Sequence, residues 1–248
     1  MADENDIYRT LERPIIADTS LLSNFIHTGA ADLLRVILKA PVHISPSVLD
    51  PYEATVEPSN WDSLTPTSEL LAPFKWTVET TGQEAHDDWN ARQAADRTHA
   101  VTQRIKTFAQ GVGHDWRSID PTSEELTLAA YLNSHAIREP MRQKCPGARG
   151  RIELDAGEAE AVAMAVTRSM TILVDDQAAV NLLRCLYPHV PIVRTCQLLV
   201  HAVRIKATTC HQAATLFNDV MVKEHGFYAR RSGQQIYLLC DPARCKWQ

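Results

Sequence analysis

Glycine is scarce in this chain of 248 residues, which holds nine. No G-x-x-x-x-G-K-[ST] occurs, and that excludes a standard phosphate loop. Gly111-Val112-Gly113 has Trp116 where a third glycine belongs and follows no strand-like run, so a dinucleotide-binding fingerprint is excluded as well. No apolar run approaches the roughly 18–20 residues that a membrane-spanning helix needs. Ten scattered histidines form no H-E-x-x-H or H-x-H-x-D, and G-x-S-x-G is absent, so a serine–histidine hydrolase has no support. Six cysteines, at 145, 185, 196, 210, 240 and 245, lack C-x-x-C spacing and are expected to be reduced thiols. The start, Met1-Ala-Asp-Glu-Asn-Asp6, is acidic and polar, unlike a secretory signal, and the expected location is cytoplasmic. With 45% hydrophobic residues and a net charge of −5, the composition excludes disorder as the main state.

What is present is an alternation of short apolar runs and helical patterns at the two ends of the chain. Pro14-Ile-Ile-Ala17 reads as a buried strand that stops at Asp18-Thr19-Ser20. Leu21, Leu22, Phe25 and Ile26 recur at helical spacing, and Gly29 marks the stop. A second helix follows Asp32, and Pro41-Val-His-Ile44 is the next strand, ended by Ser45-Pro46. From 152 the pattern returns. Ala156–Arg168 is an alanine-rich helix, Thr171-Ile-Leu-Val174 a strand ending in Asp175-Asp176, and Gln177–Leu186 a helix. Val190-Pro-Ile-Val193 is a further strand, residues 196–225 are helical, and Gln235–Leu239 is read as an edge strand. Such alternation predicts a parallel sheet covered on both faces. Residues 55–150 are read as a mostly helical insertion, with one long helix over Glu84–Gln110 and another over Thr122–Ile137 opened by the capping box Thr122-x-x-Glu125. The long helix carries an apolar stripe suited to core packing or to a homodimer or other protein interface.

Sites on open parallel sheets form outside the carboxyl ends of the strands. Two strands here end in aspartate, at Asp18 and at Asp175-Asp176, and a right-handed connection brings Glu158, in the first turn of the intervening helix, beside both. Two carboxylates about 4 Å apart repel by about 4 kcal/mol at an effective dielectric of 20. Hard divalent cations relieve that repulsion and prefer oxygen ligands. A carboxylate cluster without a histidine partner therefore points to Mg2+ or Mn2+ and to phosphodiester cleavage. Each residue also has a local reading: Asp18 and Asp176 as helix caps, Glu158 as the far end of a capping box with Asp155. Glu160 is the residue most open to a purely solvated role.

In order and spacing, Pro14-Ile-Ile-Ala-Asp-Thr-Ser-Leu-Leu22, Ile44-Ser-Pro-Ser-Val48, Leu154-Asp-Ala-Gly-Glu-Ala-Glu-Ala-Val-Ala-Met-Ala165 and Ile172-Leu-Val-Asp-Asp176 resemble a PIN-domain protein of the toxin-like, VapC-like prokaryotic branch. The resemblance covers residues 13–54 and 152–226. It implies a three-layer α/β/α fold with a central parallel sheet over 13–226, interrupted by the insertion, and a tail at 227–248. It also implies an Mg2+- or Mn2+-dependent nuclease, commonly acting on RNA and often paired with an antitoxin. Asp18, Glu158, and Asp175 or Asp176 match the family's acidic metal ligands. The family's further glutamate, three residues after the valine that follows the second strand, is replaced here by Pro51, with Asp50 and Glu53 on either side; Asp50 is the expected substitute. Val180 and its apolar neighbours stand where many relatives carry an arginine, and the insertion is longer than the family norm.

A slightly negative chain has no global attraction for nucleic acid, so binding needs local patches. The basic segment with Arg142, Lys144, Arg149 and Arg151 leads directly into the Glu158 helix, and Arg230 and Arg231 adjoin Phe227 and Tyr228, which suit stacking on unpaired bases. Two other functions compete with the nuclease. One is a PIN-like scaffold that binds nucleic acid or protein without cutting. The other is an aspartate-based phosphotransfer domain, which wants D-x-D after the first strand, where Ser20 fills the second place.

Overall fold

The structure is a computed structural model that describes residues 6–38, 41–48, 104, 116–147, 152 and 154–224. Its centre is a five-stranded, all-parallel sheet of order β3-β2-β1-β4-β5. The strands are β1 (Ile15–Ala17), β2 (Val42–Ile44), β3 (Trp116–Ser118), β4 (Thr171–Leu173) and β5 (Ile192–Val193). β1 is in register with both neighbours, Ile15 opposite Val42 on one side and Thr171 on the other. Every residue of β1 and β4 is buried, which explains why both read as unbroken apolar runs rather than as alternating strands.

Successive side chains leave a strand on opposite faces, and here each face meets its own core. Ile15, Ala17, Val42, Ile44, Leu173 and Val193 face the first core. Into it pack α2 (Thr19–His27), α3 (Ala31–Ile37), α8 (Thr195–Arg204) and α9 (Cys210–Thr215), the last continued by a π-helical stretch over Leu216–Glu224. Ile16, Ile172 and Val174 face the second core, built with α4 (Ser123–Leu132), α5 (Arg138–Lys144), α6 (Ala156–Thr167) and α7 (Gln177–Leu186). A short helix, α1 (Asp6–Leu11), precedes β1 and lies against the first core. The result is a sheet between two helical layers. In α6 the buried residues are almost all small (Gly157, Ala159, Ala161, Ala163, Ala165, with Val162 and Met164 between), which sets this helix close to the sheet. Gly29, at φ +77°, takes the left-handed conformation just beyond α2 and gives the expected helix stop.

Two expectations are corrected. Residues 116–147, placed by the sequence inside a helical insertion, are part of the α/β core: Trp116–Ser118 is edge strand β3, and Trp116 is fully buried. Only Trp116 of that strand is inward and buried, so three residues carried no readable period. α4 begins as expected, with the Thr122–Glu125 capping box formed in both directions, but ends at Leu132, before a 3₁₀ turn over His135–Ile137. Of the expected long helix only Arg104, helical in the structure, is described, and it donates to the carbonyl of His27. The expected strand at 235–239 lies outside the described residues.

The second correction concerns sulfur. Cys145, at the end of α5, is disulfide-bonded to Cys185 in α7, and Cys210 is disulfide-bonded too, whereas reduced thiols were expected. The pairing is a matter of packing that no spacing encodes: 40 residues separate the partners, and α5 lies against α7. Among the described residues, no helix is long and apolar enough to cross a membrane.

Candidate metal centre at the sheet switch point

From β1 the strand order runs one way to β2 and β3 and the other way to β4 and β5, so the crevice between the carboxyl ends of β1 and β4 is the topological switch point. The predicted acids at the two strand ends, and Glu158 between them in sequence, gather there. Asp18 extends the ladder by one residue, its N–H donating to the carbonyl of Leu173 at 2.9 Å. It then caps α2: Oδ2 accepts from the N–H of Ser20 at 3.0 Å and from its hydroxyl at 2.6 Å. Asp18 is fully buried.

Ser20 is the hinge pin of this end of the sheet. Its single hydroxyl proton goes to Asp18, while its oxygen accepts from the N–H groups of Asp175 (2.9 Å) and Asp176 (3.2 Å). One hydroxyl has one donor and two acceptor sites, and all three are used. Ser20 thereby locks the turn after β4 to the carboxylate after β1. Two residues after an aspartate at a helix start, a serine reads only as a local cap; nothing in the sequence announces a contact across 155 positions.

The adjacent aspartates differ in their surroundings. Asp175 is buried, and its carboxylate accepts from Asn24 Nδ2 (2.7 Å), from Thr195 Oγ1 (2.5 Å) and from the Thr195 N–H (3.2 Å). Arg194 completes the group: Nε lies 3.5 Å from Oδ1 of Asp175, and a terminal N–H donates to its backbone carbonyl at 3.0 Å. Asn24 also donates to Thr195 Oγ1 at 3.1 Å, so α2, β4 and the start of α8 meet in one buried polar knot. Asp176 caps α7 with Oδ1, which accepts from the N–H groups of Ala178 (2.6 Å) and Ala179 (3.1 Å); its Oδ2 carries no hydrogen bond among the described residues. Asn24, Thr195 and Arg194 were not singled out from the sequence, since each is an ordinary polar residue in a helical or strand-end pattern.

Glu158 sits in the first turn of α6, only 8% exposed. Its Oε2 accepts from the Asp155 N–H at 3.0 Å, so the capping contact is made; Oε1 carries no hydrogen bond among the described residues. Burial, followed by the nearby negative charges of Asp18 and Asp176, pushes its carboxyl up to about 8. Glu160, the acid most open to a solvated role, accepts from the N–H of Ser47 at 3.4 Å, tying α6 to the loop after β2. Ser45, at the end of β2, is fully buried.

The donor set, the buried carboxylates of Asp18 and Glu158 with the half-buried carboxylate of Asp176, has the chemistry of a hard-cation site. In their present positions the described residues include no group of three or more His, Cys, Asp or Glu side chains that could hold a metal ion. Asp50 lies outside the described residues, as do Arg149, Arg151, Arg230 and Arg231. Arg142 and Lys144 are exposed on α5, which packs against α7, the helix that Asp176 caps. No protein-family model, curated protein or solved structure matches the chain.

Proposed function

We propose that this protein is a metal-dependent endonuclease that hydrolyses phosphodiester bonds, RNA foremost, with Mg2+ or Mn2+ as the cofactor. The observation that carries the reading is the meeting of Asp18, Glu158 and Asp176 at the switch point, close enough that the charges of the two aspartates add to burial in raising the proton affinity of Glu158. Such a cluster is costly without a cation. Asp18, Glu158 and Asp176, with Asp50 as the fourth candidate, would hold the ion; bound there it supplies an activated water and stabilises charge on a phosphate. The chain's own part is to fix the carboxylates: Ser20 orients Asp18, and the α7 cap orients Asp176. Arg142 and Lys144 offer phosphate contacts on α5, in the segment that leads to α6. Preference for RNA, and a role as the toxin of a toxin–antitoxin pair, come from the PIN-like resemblance alone.

The test is cleavage of end-labelled single-stranded RNA and DNA with Mg2+, Mn2+ or EDTA. Cutting that needs the divalent ion supports the reading, and the better substrate sets its class. One observation favours a second reading: among the described residues no ligand group is assembled at metal-binding geometry. A PIN-like scaffold that binds nucleic acid or a protein would account for that. It predicts that titration with Mn2+ gives no heat of binding and that no substrate is cut.

A further inference from the structure

Two adjacent aspartates follow β4, and their surroundings divide them. We infer that Asp175 is a positioning residue that sets the turn after β4, and that Asp176 alone of the pair is available to a cation; the inference rests on the metal-dependent reading above. The carboxylate of Asp175 already accepts three hydrogen bonds, from Asn24 Nδ2, Thr195 N and Thr195 Oγ1, with the Arg194 guanidinium 3.5 Å from Oδ1. Of the roughly four lone-pair sites of a carboxylate, both on Oδ2 of Asp175 and one on Oδ1 are taken, and the Arg194 guanidinium beside Oδ1 repels a cation. A metal at Asp175 would therefore compete with buried donors, and a buried donor stripped of its acceptor is costly. Arg194 is a permanent positive charge, so the Asp175–Arg194 pair is close to neutral and adds little to the repulsion among the other acids.

What Asp175 does instead follows from its bonds. Its side chain anchors Asn24 of α2 and Thr195 at the start of α8, while its N–H and that of Asp176 both donate to Ser20, which holds Asp18. Any shift of Asp175 therefore moves Ser20, and with it the angle at which Asp18 and Asp176 face one another. Among the described residues, Thr195 and Arg194 both reach the turn after β4 through Asp175, and Thr195 also accepts from Asn24.

The experiment is Mn2+ titration calorimetry and RNA cleavage on the full chain, comparing wild type, Asp175→Asn, Asp176→Asn and Thr195→Val, with folding checked by circular dichroism. Asp176→Asn should abolish measurable Mn2+ binding. Asp175→Asn should still bind one ion, while kcat falls about 10–100-fold with KM little changed, as for an outer-shell partner. Thr195→Val, which removes no carboxylate, should reproduce the loss in kcat, and it serves if Asp175→Asn fails to fold. Loss of Mn2+ binding in Asp175→Asn with retention in Asp176→Asn would overturn the inference, as would a silent Thr195→Val. If wild type neither binds Mn2+ nor cuts, the metal-dependent reading falls and this inference with it; if wild type does both, only the division of roles is at stake.

Discussion

Glu158 shows how position changes the meaning of a residue. In sequence it is the second member of Asp155-x-x-Glu158, and a capping box explains it fully; in the structure it makes that contact with one oxygen and joins a cluster with Asp18 and Asp176. With its carboxyl at about 8 against an ordinary 4.5, Glu158 holds its proton in the folded state over a pH range where the unfolded chain has released it. Its favourable contribution is thus complete below about pH 4.5 and is lost as pH rises through 8. In the metal-free protein, Glu158→Gln should flatten the decline of stability between those values, read from urea unfolding midpoints across pH; an unchanged slope would contradict the assigned environment. The acids at Asp18, Glu158 and Asp176 were legible because each closes a strand or opens a helix. The different surroundings of Asp175 and Asp176 were not, because they depend on Ser20, Asn24, Thr195 and Arg194, which reach the turn after β4 from α2 and from the β5–α8 junction.

Pairs of helices hold the layer that carries Glu158 and Asp176. At its lower end α6 is fastened to α4 through Glu125, which accepts from Arg168 Nε and a terminal Arg168 nitrogen at 2.6 Å each and from Thr167 Oγ1 at 2.6 Å. The Arg168 hydrogen bond, foremost, holds the Glu125 carboxyl down at about 2. Its stabilising share is present above about pH 4.5 and lost as pH falls towards 2, opposite in sign to that of Glu158. Arg168→Met should cost about 2 kcal/mol, since it leaves a buried carboxylate short of partners while its own guanidinium was one-third exposed. The Cys145–Cys185 disulfide clamps α5 to α7 in the same layer and closes a loop of 40 residues. Loss of this disulfide should lower stability by about 4 kcal/mol on chain-entropy grounds, read as a drop in Tm for Cys145→Ser. An unaltered Tm would mean that the two sulfurs are not joined in solution. Neither fastening was readable beforehand. The Thr122–Glu125 capping box was, but Arg168 lies 43 residues from Glu125, and the cysteines follow no motif spacing.

The two ends of the chain supply the centre of the sheet and the middle supplies one edge, which is why the order β3-β2-β1-β4-β5 places residue 18 beside residue 175. The parallel sheet with helices on both faces was legible from short, wholly buried runs such as Ile15–Ala17 and Thr171–Leu173, since only a doubly covered sheet buries every side chain of a strand. β3 was not: Arg117 and Ser118 are exposed, and Trp116 alone carries the inward face. Under the proposed nuclease reading, a chain of net charge −5 would have to concentrate its attraction for a polyanion locally, and the exposed Arg142 and Lys144 of α5 are the described residues proposed for such a patch. Replacing both with alanine should weaken RNA binding at every sequence and reduce its salt slope by up to about two units; equal affinity at all salt concentrations would remove α5 from the interface. Whether the switch-point carboxylates serve a metal-dependent reaction is tested most directly by Asp18→Asn, because it removes one charge and nearly no volume. Measured beside wild type in Mn2+ on labelled single-stranded RNA, the variant should lose cleavage while keeping its fold; equal cutting by both proteins, or cutting by wild type that persists in EDTA, would contradict it.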